Sequence, residues 1–129
     1  MKYFTIAEFE RTNHNVDNKI KDDNVLNNIK LLVNNVLDPV REKWGKPIKV
    51  NSGYRSAALN KKVGGAVNSQ HLTGQAADIT AGNKTENKKL FDMIVKMGID
   101  FDQVIDEKKY SWVHISYKSS GNRKQILHL

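Results

Sequence analysis

Two histidines and an aspartate are the residues of this sequence best suited to do chemistry. His71 and Asp78 stand seven positions apart in the segment SQHLTGQAAD, residues 69–78. Alone, this pair is typical of an ordinary surface loop. His114 lies within WVHIS, residues 112–116, whose pattern predicts a strand, and a buried strand histidine needs a hydrogen-bond partner or a ligand. The three residues together form a two-histidine, one-carboxylate set, a common arrangement for catalytic zinc that leaves a fourth position for water.

The composition restricts the other routes to catalysis. The chain has 129 residues, which suits a single domain over residues 1–129. Because it contains no cysteine, thiolate zinc sites and thiol nucleophiles are excluded. The remaining histidines are poorer ligands, since His14 falls in a polar loop and His128 stands next to the C-terminus. Any metal must therefore be held by His, Asp or Glu.

The net charge of +7 indicates an anionic partner. Nucleic acid and a bacterial cell wall are both polyanions, but the sequence has no recognition-helix signature, no Cys/His finger and no aromatic-basic sheet motif. We therefore expect no nucleic-acid partner. The N-terminal segment MKYFTIAEFER resembles neither a signal peptide nor a membrane span. We expect a monomer that is made in the cytoplasm and does not insert into a membrane.

The elements that must position these side chains follow an α+β pattern. Thr5 and Glu8 predict a capping box that opens a short helix. Apolar spacing predicts a long helix over residues 23–44, which Pro39 should kink or split. Further helices are predicted at 57–63 and 85–98, and strands at 48–50, 75–80, 101–107, 112–117 and 125–129. The last three strands are expected to form an antiparallel meander.

The residues around the candidate ligands resemble a known family. The pattern Ser-x-His-x-x-Gly-x-Ala-x-Asp is matched by Ser69, His71, Gly74, Ala76 and Asp78. The segments that fit in the same order are SGYRS (52–56), LN (59–60), VGG (63–65), FDQVI (101–105) and WVH (112–114). The sequence is similar to the zinc D-alanyl-D-alanine carboxypeptidases and L-alanyl-D-glutamate endopeptidases, from about Phe4 to Tyr117. This family shares the fold of the hedgehog signalling domain and includes many phage endolysins.

The resemblance implies a fold, a cofactor and a substrate. The expected fold is an antiparallel sheet with N-terminal helices packed on it. Zinc is implied on His71, Asp78 and His114, and the implied substrate is the stem peptide of peptidoglycan. The chain also resembles a phage lysin that reaches the wall through a membrane lesion made by another protein. The alternative is a catalytically inactive, zinc-containing module of the same fold that binds the cell wall.

The sequence offers two candidates for the catalytic base. The family pattern usually has a carboxylate three residues before the last histidine ligand, where this sequence has Ser111. The substitutes are Asp106 and Glu107 on the preceding strand. Because side chains alternate along a strand, an even-length turn puts Glu107 on the face of His114, and an odd-length turn puts Asp106 there. Even-length turns are commoner, so Glu107 is the expected base and Asp106 the alternative.

Three more residues are candidates for work on the substrate. Arg55 follows a predicted strand, and its guanidinium suits a carboxylate or a developing oxyanion. The resemblance implies a catalytic and substrate-binding role for it. Ser69 and Gln103 are predicted to orient a metal ligand or to contact substrate. In the expected reaction, zinc lowers the pKa of its water and Glu107 takes the proton during attack on the amide.

Overall fold

The N-terminal third of the protein contains the first helices in the computed structural model, which describes residues 1–129. The first helix, α1, spans Ile6–Glu10. Its predicted capping box is confirmed, because the Thr5 hydroxyl accepts a hydrogen bond from the Glu8 amide and the Glu8 carboxylate accepts one from the Thr5 amide. These bonds satisfy amide groups that a helix N-terminus otherwise leaves unpaired.

The predicted long helix consists of three consecutive parts. Helix α2 spans Asp23–Leu32, a π-helical turn spans Val33–Leu37, and helix α3 spans Asp38–Trp44. The expected interruption at Pro39 takes this form because proline has no amide hydrogen for the preceding turn. The wider turn lets the Asp38 amide bond to the Val33 carbonyl, five residues back. Gly45, in the left-handed conformation at φ 73°, ends α3.

A five-stranded sheet forms the rest of the framework, in the order β1-β2-β4-β3-β5. The strands are β1 (Lys49–Ser52), β2 (Ala76–Thr80), β3 (Gln103–Glu107), β4 (Trp112–Ser116) and β5 (Gln125–His128). Between β1 and β2 lie helix α4 (Ala57–Lys62) and a 3-10 turn (Gln70–Thr73), and between β2 and β3 lies helix α5 (Lys84–Lys96). The predicted α+β class is confirmed.

The predicted antiparallel meander is wrong for the last strand. Strands β1 to β4 pair antiparallel, but β5 lies parallel to β3 at the edge of the sheet. Strand β4 already has β2 on one side and β3 on the other, so its backbone offers no free edge to a following strand. The chain after β4 therefore crosses to the open edge of β3, where the Gln125 amide bonds to the Asp102 carbonyl.

The two faces of the sheet have different chemistry. Ala77, Ile79, Val113 and Ile115 point toward the helices and share one apolar core with residues of α2, α3 and α5. Because side chains alternate along each strand, the neighbouring positions point to the other face.

No helix has both the length and the apolar composition needed to cross a membrane.

Candidate metal centre and active site

His71 is held in place by its own short turn. It lies in the 3-10 turn Gln70–Thr73, where the Ser69 hydroxyl accepts a hydrogen bond from the His71 amide at 3.2 Å. Gly74 ends the turn at φ 75°, a conformation that favours glycine. A Cβ atom at this position would lie 2.7 Å from the Val25 carbonyl oxygen. Gly74 therefore allows both the change of direction between the turn and β2 and the close approach of α2.

Asp78 and His114 are directly opposite each other on neighbouring strands. The antiparallel register of β2 and β4 pairs the two residues, on the sheet face that points away from the helices. His114 Nδ1 lies 2.9 Å from Asp78 Oδ1, and His71 Nε2 lies 3.3 Å from Asp78 Oδ2. One ligand atom from each of the three side chains lies within 4.8 Å of the other two. The structure thus brings the three predicted ligands together.

The tautomer of His71 suits metal binding. Its Nδ1 lies 2.7 Å from the carbonyl oxygen of Gly53. A carbonyl oxygen only accepts, so Nδ1 carries the hydrogen and Nε2, which faces Asp78, keeps its lone pair. Metal-binding histidines usually have such a partner on the second ring nitrogen, because it fixes the ring and the tautomer.

The spacing of the donor atoms fits a tetrahedral ion. Zinc ligands at about 2.0–2.1 Å in tetrahedral geometry lie about 3.3 Å apart. In the structure His114 Nδ1 lies 2.9 Å from Asp78 Oδ1 and His71 Nε2 lies 3.3 Å from Asp78 Oδ2, separations of the same order on the two oxygens of the carboxylate. Burial alone raises the pKa of Asp78, but the contacts of its carboxylate with the imidazoles of His114 and His71 outweigh it and hold the pKa well below its usual range. The carboxylate is therefore ionised and able to bind a cation.

Arg55 lies beside this donor set, and each of its three guanidinium nitrogens has a contact in the protein. Its Nη2 is 3.7 Å from Asp78 Oδ2, its Nη1 donates to Asn60 Oδ1, and its Nε donates to the Ser52 hydroxyl. Ser56, which caps α4, follows it directly. The charge of Arg55 is thus fixed next to the candidate metal position.

The three ligands lie in the wall of a cleft of about 430 Å³. Arg55, Gln103 and Glu107 line the same cleft. The turn between β3 and β4 has an even length, Lys108 to Ser111, so Glu107 pairs with Trp112 and shares the face of His114. The geometric expectation for Glu107 therefore agrees with the observed register.

Asp106 lies on the opposite face of β3. Its carboxylate accepts a 2.6 Å hydrogen bond from the Tyr110 amide and lies 3.2 Å from Nδ1 of His128. Lys108, Lys109 and Tyr110 all have positive φ, between 47° and 64°, which is unusual for residues other than glycine. Asp106 thus supports a strained turn, and it does not line the cleft.

The side chain of Ser111 belongs to this turn as well. Its hydroxyl donates to the Lys108 carbonyl at 2.7 Å, and Ser111 is absent from the cleft wall. His14, in contrast, is exposed on the protein surface. Neither residue is brought to the metal site.

Several cleft residues had no role in the sequence-based interpretation. Trp112 lines the cleft, and its indole nitrogen is buried without a hydrogen-bond partner. Gln70 and Arg123 also line the cleft, and both bond to the buried Asp102. Trp112 stands two residues before His114 on the same strand. Because side chains alternate along a strand, this spacing could have predicted that the two share a face. Arg123 lies far from the motifs and gave no such signal.

The fold and site define a class, namely α+β domains with a two-histidine, one-carboxylate metal centre on the open face of a sheet. The comparison with known families agrees with that class. The model of the Peptidase M15 family matches residues 2–116, and the chain belongs to this family.

A curated relative matches part of the chain. The zinc D-Ala-D-Ala carboxypeptidase of Streptomyces albus G is 51% identical over 49 residues. This segment is 37% of the present chain and 19% of that protein, so the match spans about a fifth of the relative's length. Together with the family match, it confirms the predicted family, and the three side chains lie close enough to one another to bind a metal ion.

Proposed function

We propose that residues 1–129 form one zinc peptidase domain that hydrolyses an amide bond in the peptidoglycan stem peptide. The bond is of the type cut by D,D-carboxypeptidases or L-alanyl-D-glutamate endopeptidases. The observation that carries the proposal is the meeting of His71, Asp78 and His114 in one polar cleft. The substrate class is supported by the family and by the name of the Streptomyces albus G relative. A phage-type lysin stays a prediction from the family resemblance.

The donor set defines what a metal contributes. Zinc bound to these three residues supplies Lewis-acid chemistry, since it polarises a carbonyl and lowers the pKa of water from that of bulk water toward about 7. The Gly53 carbonyl keeps the hydrogen of His71 on Nδ1 and so leaves Nε2 as the ligand atom. Asp78 spans both imidazoles, with one carboxylate oxygen near each.

Glu107 is the proposed general base. Its carboxylate takes a proton from the water that attacks the amide carbonyl and then gives it to the leaving amine. The cross-strand pairing with Trp112 and the shared face with His114 support this role. Asp106 was the alternative, and its two contacts in the β3–β4 turn favour a structural role for it instead.

Arg55 is the proposed stabiliser of charge on the amide oxygen. As water adds to the carbonyl, negative charge develops on that oxygen, and a fixed cation lowers the energy of this state. Three contacts of the guanidinium hold it in place before substrate binds. Ser69 contributes indirectly through the His71 amide, and Gln103 contributes as part of the cleft wall.

The net charge of +7 favours association with an anionic wall. Scattered lysines contribute to it, so the attraction is long-range and weakens as salt is added. The wall is therefore the proposed partner, and the reaction takes place where the stem peptides are exposed.

Digestion of purified peptidoglycan tests the proposal. The zinc-loaded protein is incubated with the wall, and mass spectrometry of the released fragments identifies the bond that was cut. We expect new amino and carboxyl termini at a single type of stem-peptide bond. Intact fragments together with measurable wall binding would instead support the alternative, an inactive wall-binding module, which the absence of a carboxylate at Ser111 first suggested.

A further inference from the structure

A second arginine faces the cleft and lies outside the segment matched by the family model. Arg123 lines the cleft together with the metal ligands, whereas the family match ends at residue 116. It belongs to the connection that crosses from β4 to β5, and its position depends on the fold of this connection. The motifs that identify the metal site therefore say nothing about it.

A buried carboxylate fixes the orientation of Arg123. Nε of Arg123 lies 3.0 Å from Asp102 Oδ1, and Nη2 lies 2.8 Å from Asp102 Oδ2, a two-point pairing. The side chain of Asp102 is 0% exposed, and it also accepts hydrogen bonds from the Arg123 amide and from Nε2 of Gln70. Gln70 directly precedes the metal ligand His71. The arginine is thus attached to the same frame as the metal site.

The two arginines of the cleft differ in how many of their guanidinium nitrogens have a partner in the protein. Arg55 has a protein partner on each of its three nitrogens, and its side chain is 17% exposed. Arg123 uses Nε and Nη2, and its side chain is 51% exposed. The Nη1 side of the Arg123 guanidinium therefore has no partner in the protein. Because Asp102 already holds the side chain, a ligand that binds there costs little additional side-chain entropy.

The charge near Asp102 is not balanced by the pair alone. Lys118 Nζ lies 3.7 Å from Asp102 Oδ1, so one buried carboxylate faces two cations. Of these two cations only Arg123 lines the cleft, so only Arg123 can contact an anion that binds there. A rigid guanidinium edge matches the geometry of a carboxylate and can bond to both of its oxygens.

The position along β3 sets the distance from the reacting bond. Ile105 pairs with His114, and Gln103 lies on the same face two residues earlier, next to Asp102. Two residues of a strand span about 7 Å. Asp102 holds Arg123 at the Gln103 end of this stretch, and an extended peptide advances by a similar amount over two residues, so the strand spacing points to a substrate group one to two residues from the amide at the metal ligands.

We propose that Arg123, oriented by Asp102, recognises a free α-carboxylate of the substrate one to two residues from the bond that is cut. The proposal rests on the peptidase function proposed above and defines its substrate further. Stem peptides carry such groups, since a terminal D-alanine ends in a carboxylate and a γ-linked D-glutamate leaves its α-carboxylate free. A carboxamide at the same position keeps the shape but loses the charge, and the enzyme distinguishes the two.

Paired peptides provide the test. Stem peptides are made with a free carboxylate or a carboxamide, either at the terminal D-alanine or at the α-position of D-glutamate. The ratio of kcat/KM for acid over amide is measured with the zinc-loaded protein, in whichever peptide is cleaved. We expect a ratio of about tenfold or more, equivalent to about 1.4 kcal/mol, with the difference mainly in KM.

Variants assign the preference to the arginine. Arg123→Met should reduce the acid/amide ratio to near one, and Arg123→Lys, which keeps a charge but loses the planar fork, should give an intermediate ratio. Lys118→Met is the matched control, since it removes a cation near Asp102 that does not line the cleft. It should keep the wild-type ratio. Zinc content and thermal melting are recorded for each protein.

Three results would overturn the proposal. The first is a wild-type enzyme that cuts acid and amide peptides equally well, and the second is a folded Arg123→Met protein with the wild-type ratio. If Arg123→Met does not fold, an unchanged ratio in Arg123→Lys has the same consequence. Hydrolysis of neither peptide would refute the peptidase function itself, and the affinities of the zinc-loaded protein for the two peptides would then decide the carboxylate proposal separately.

Discussion

Glu107 and Asp106 are neighbours in the sequence, yet their side chains lie on opposite faces of β3. Neutralising each in turn should therefore separate catalysis from folding. Glu107→Gln keeps the shape of the proposed base but removes its ability to take a proton. Loss of general base catalysis lowers kcat by about 10²–10⁴-fold. Because Glu107 is half-buried on the cleft wall, we expect a stability change within about 0.5 kcal/mol.

Asp106→Asn should lower the stability of the protein and leave its activity largely unchanged. The charged acceptor of the Tyr110 amide becomes a neutral one, and the contact with His128 loses its charge. A hydrogen bond to a charged group is worth about 1.5–3 kcal/mol and a neutral one about 0.5–1.5 kcal/mol, so we expect a loss of about 1–1.5 kcal/mol. For a domain of this size, that corresponds to a melting temperature about 3–6 °C lower.

Steady-state hydrolysis of a stem peptide by zinc-saturated proteins, with thermal melts of the same samples, gives both quantities. A Glu107→Gln protein that keeps activity within tenfold of wild type would contradict the proposed base. A 10²-fold loss in Asp106→Asn at an unchanged melting temperature would contradict it as well, and would assign the proton transfer to Asp106.

Three further changes follow from the geometry. Gly74→Ala should lower the free energy of unfolding by about 2–4 kcal/mol, because alanine is strained in the left-handed conformation and its Cβ would clash with the Val25 carbonyl. An unchanged midpoint in urea titrations would contradict this. Arg55→Lys should lower kcat/KM by about 10²-fold at full zinc occupancy, since lysine cannot make the three contacts of the arginine guanidinium. Wild-type kinetics would argue against Arg55 as the stabiliser of charge on the amide oxygen. Hydrogen bonds from Arg123 hold the pKa of Asp102 below its usual range, so the stability it provides is complete above about pH 4 and is lost in stronger acid. Urea midpoints below that pH should fall less steeply in Asp102→Asn than in wild type, and parallel curves would refute the linkage.

The features that sequence reasoning predicted are mostly local. The Thr5 capping box, the interruption at Pro39 and the even-length β3–β4 turn each depend on residues close together in the chain. The alternation of side chains then extends a local prediction across the sheet, which is why the shared face of Glu107 and His114 could be anticipated.

The features it missed depend on contacts between distant segments. The parallel pairing of β5 follows from both sides of β4 being occupied, which no local pattern records. The β3–β4 turn has three left-handed residues and no glycine, and it is supported by Asn87 of α5, whose side chain donates to the carbonyls of Tyr110 and Ser111. Arg123 reaches Asp102 from 21 positions away. Propensities carry no information on such pairs.

Removal and return of zinc tests the central claim most directly, which is that His71, Asp78 and His114 hold a zinc ion needed for peptide hydrolysis. Stem-peptide cleavage and bound metal are measured for the zinc-loaded protein, after chelation, and after zinc is added back, with His114→Ala treated in parallel. We expect one zinc per chain, no cleavage after chelation, full recovery with zinc, and neither metal nor activity in the variant. Undiminished cleavage by the metal-free protein would contradict the claim.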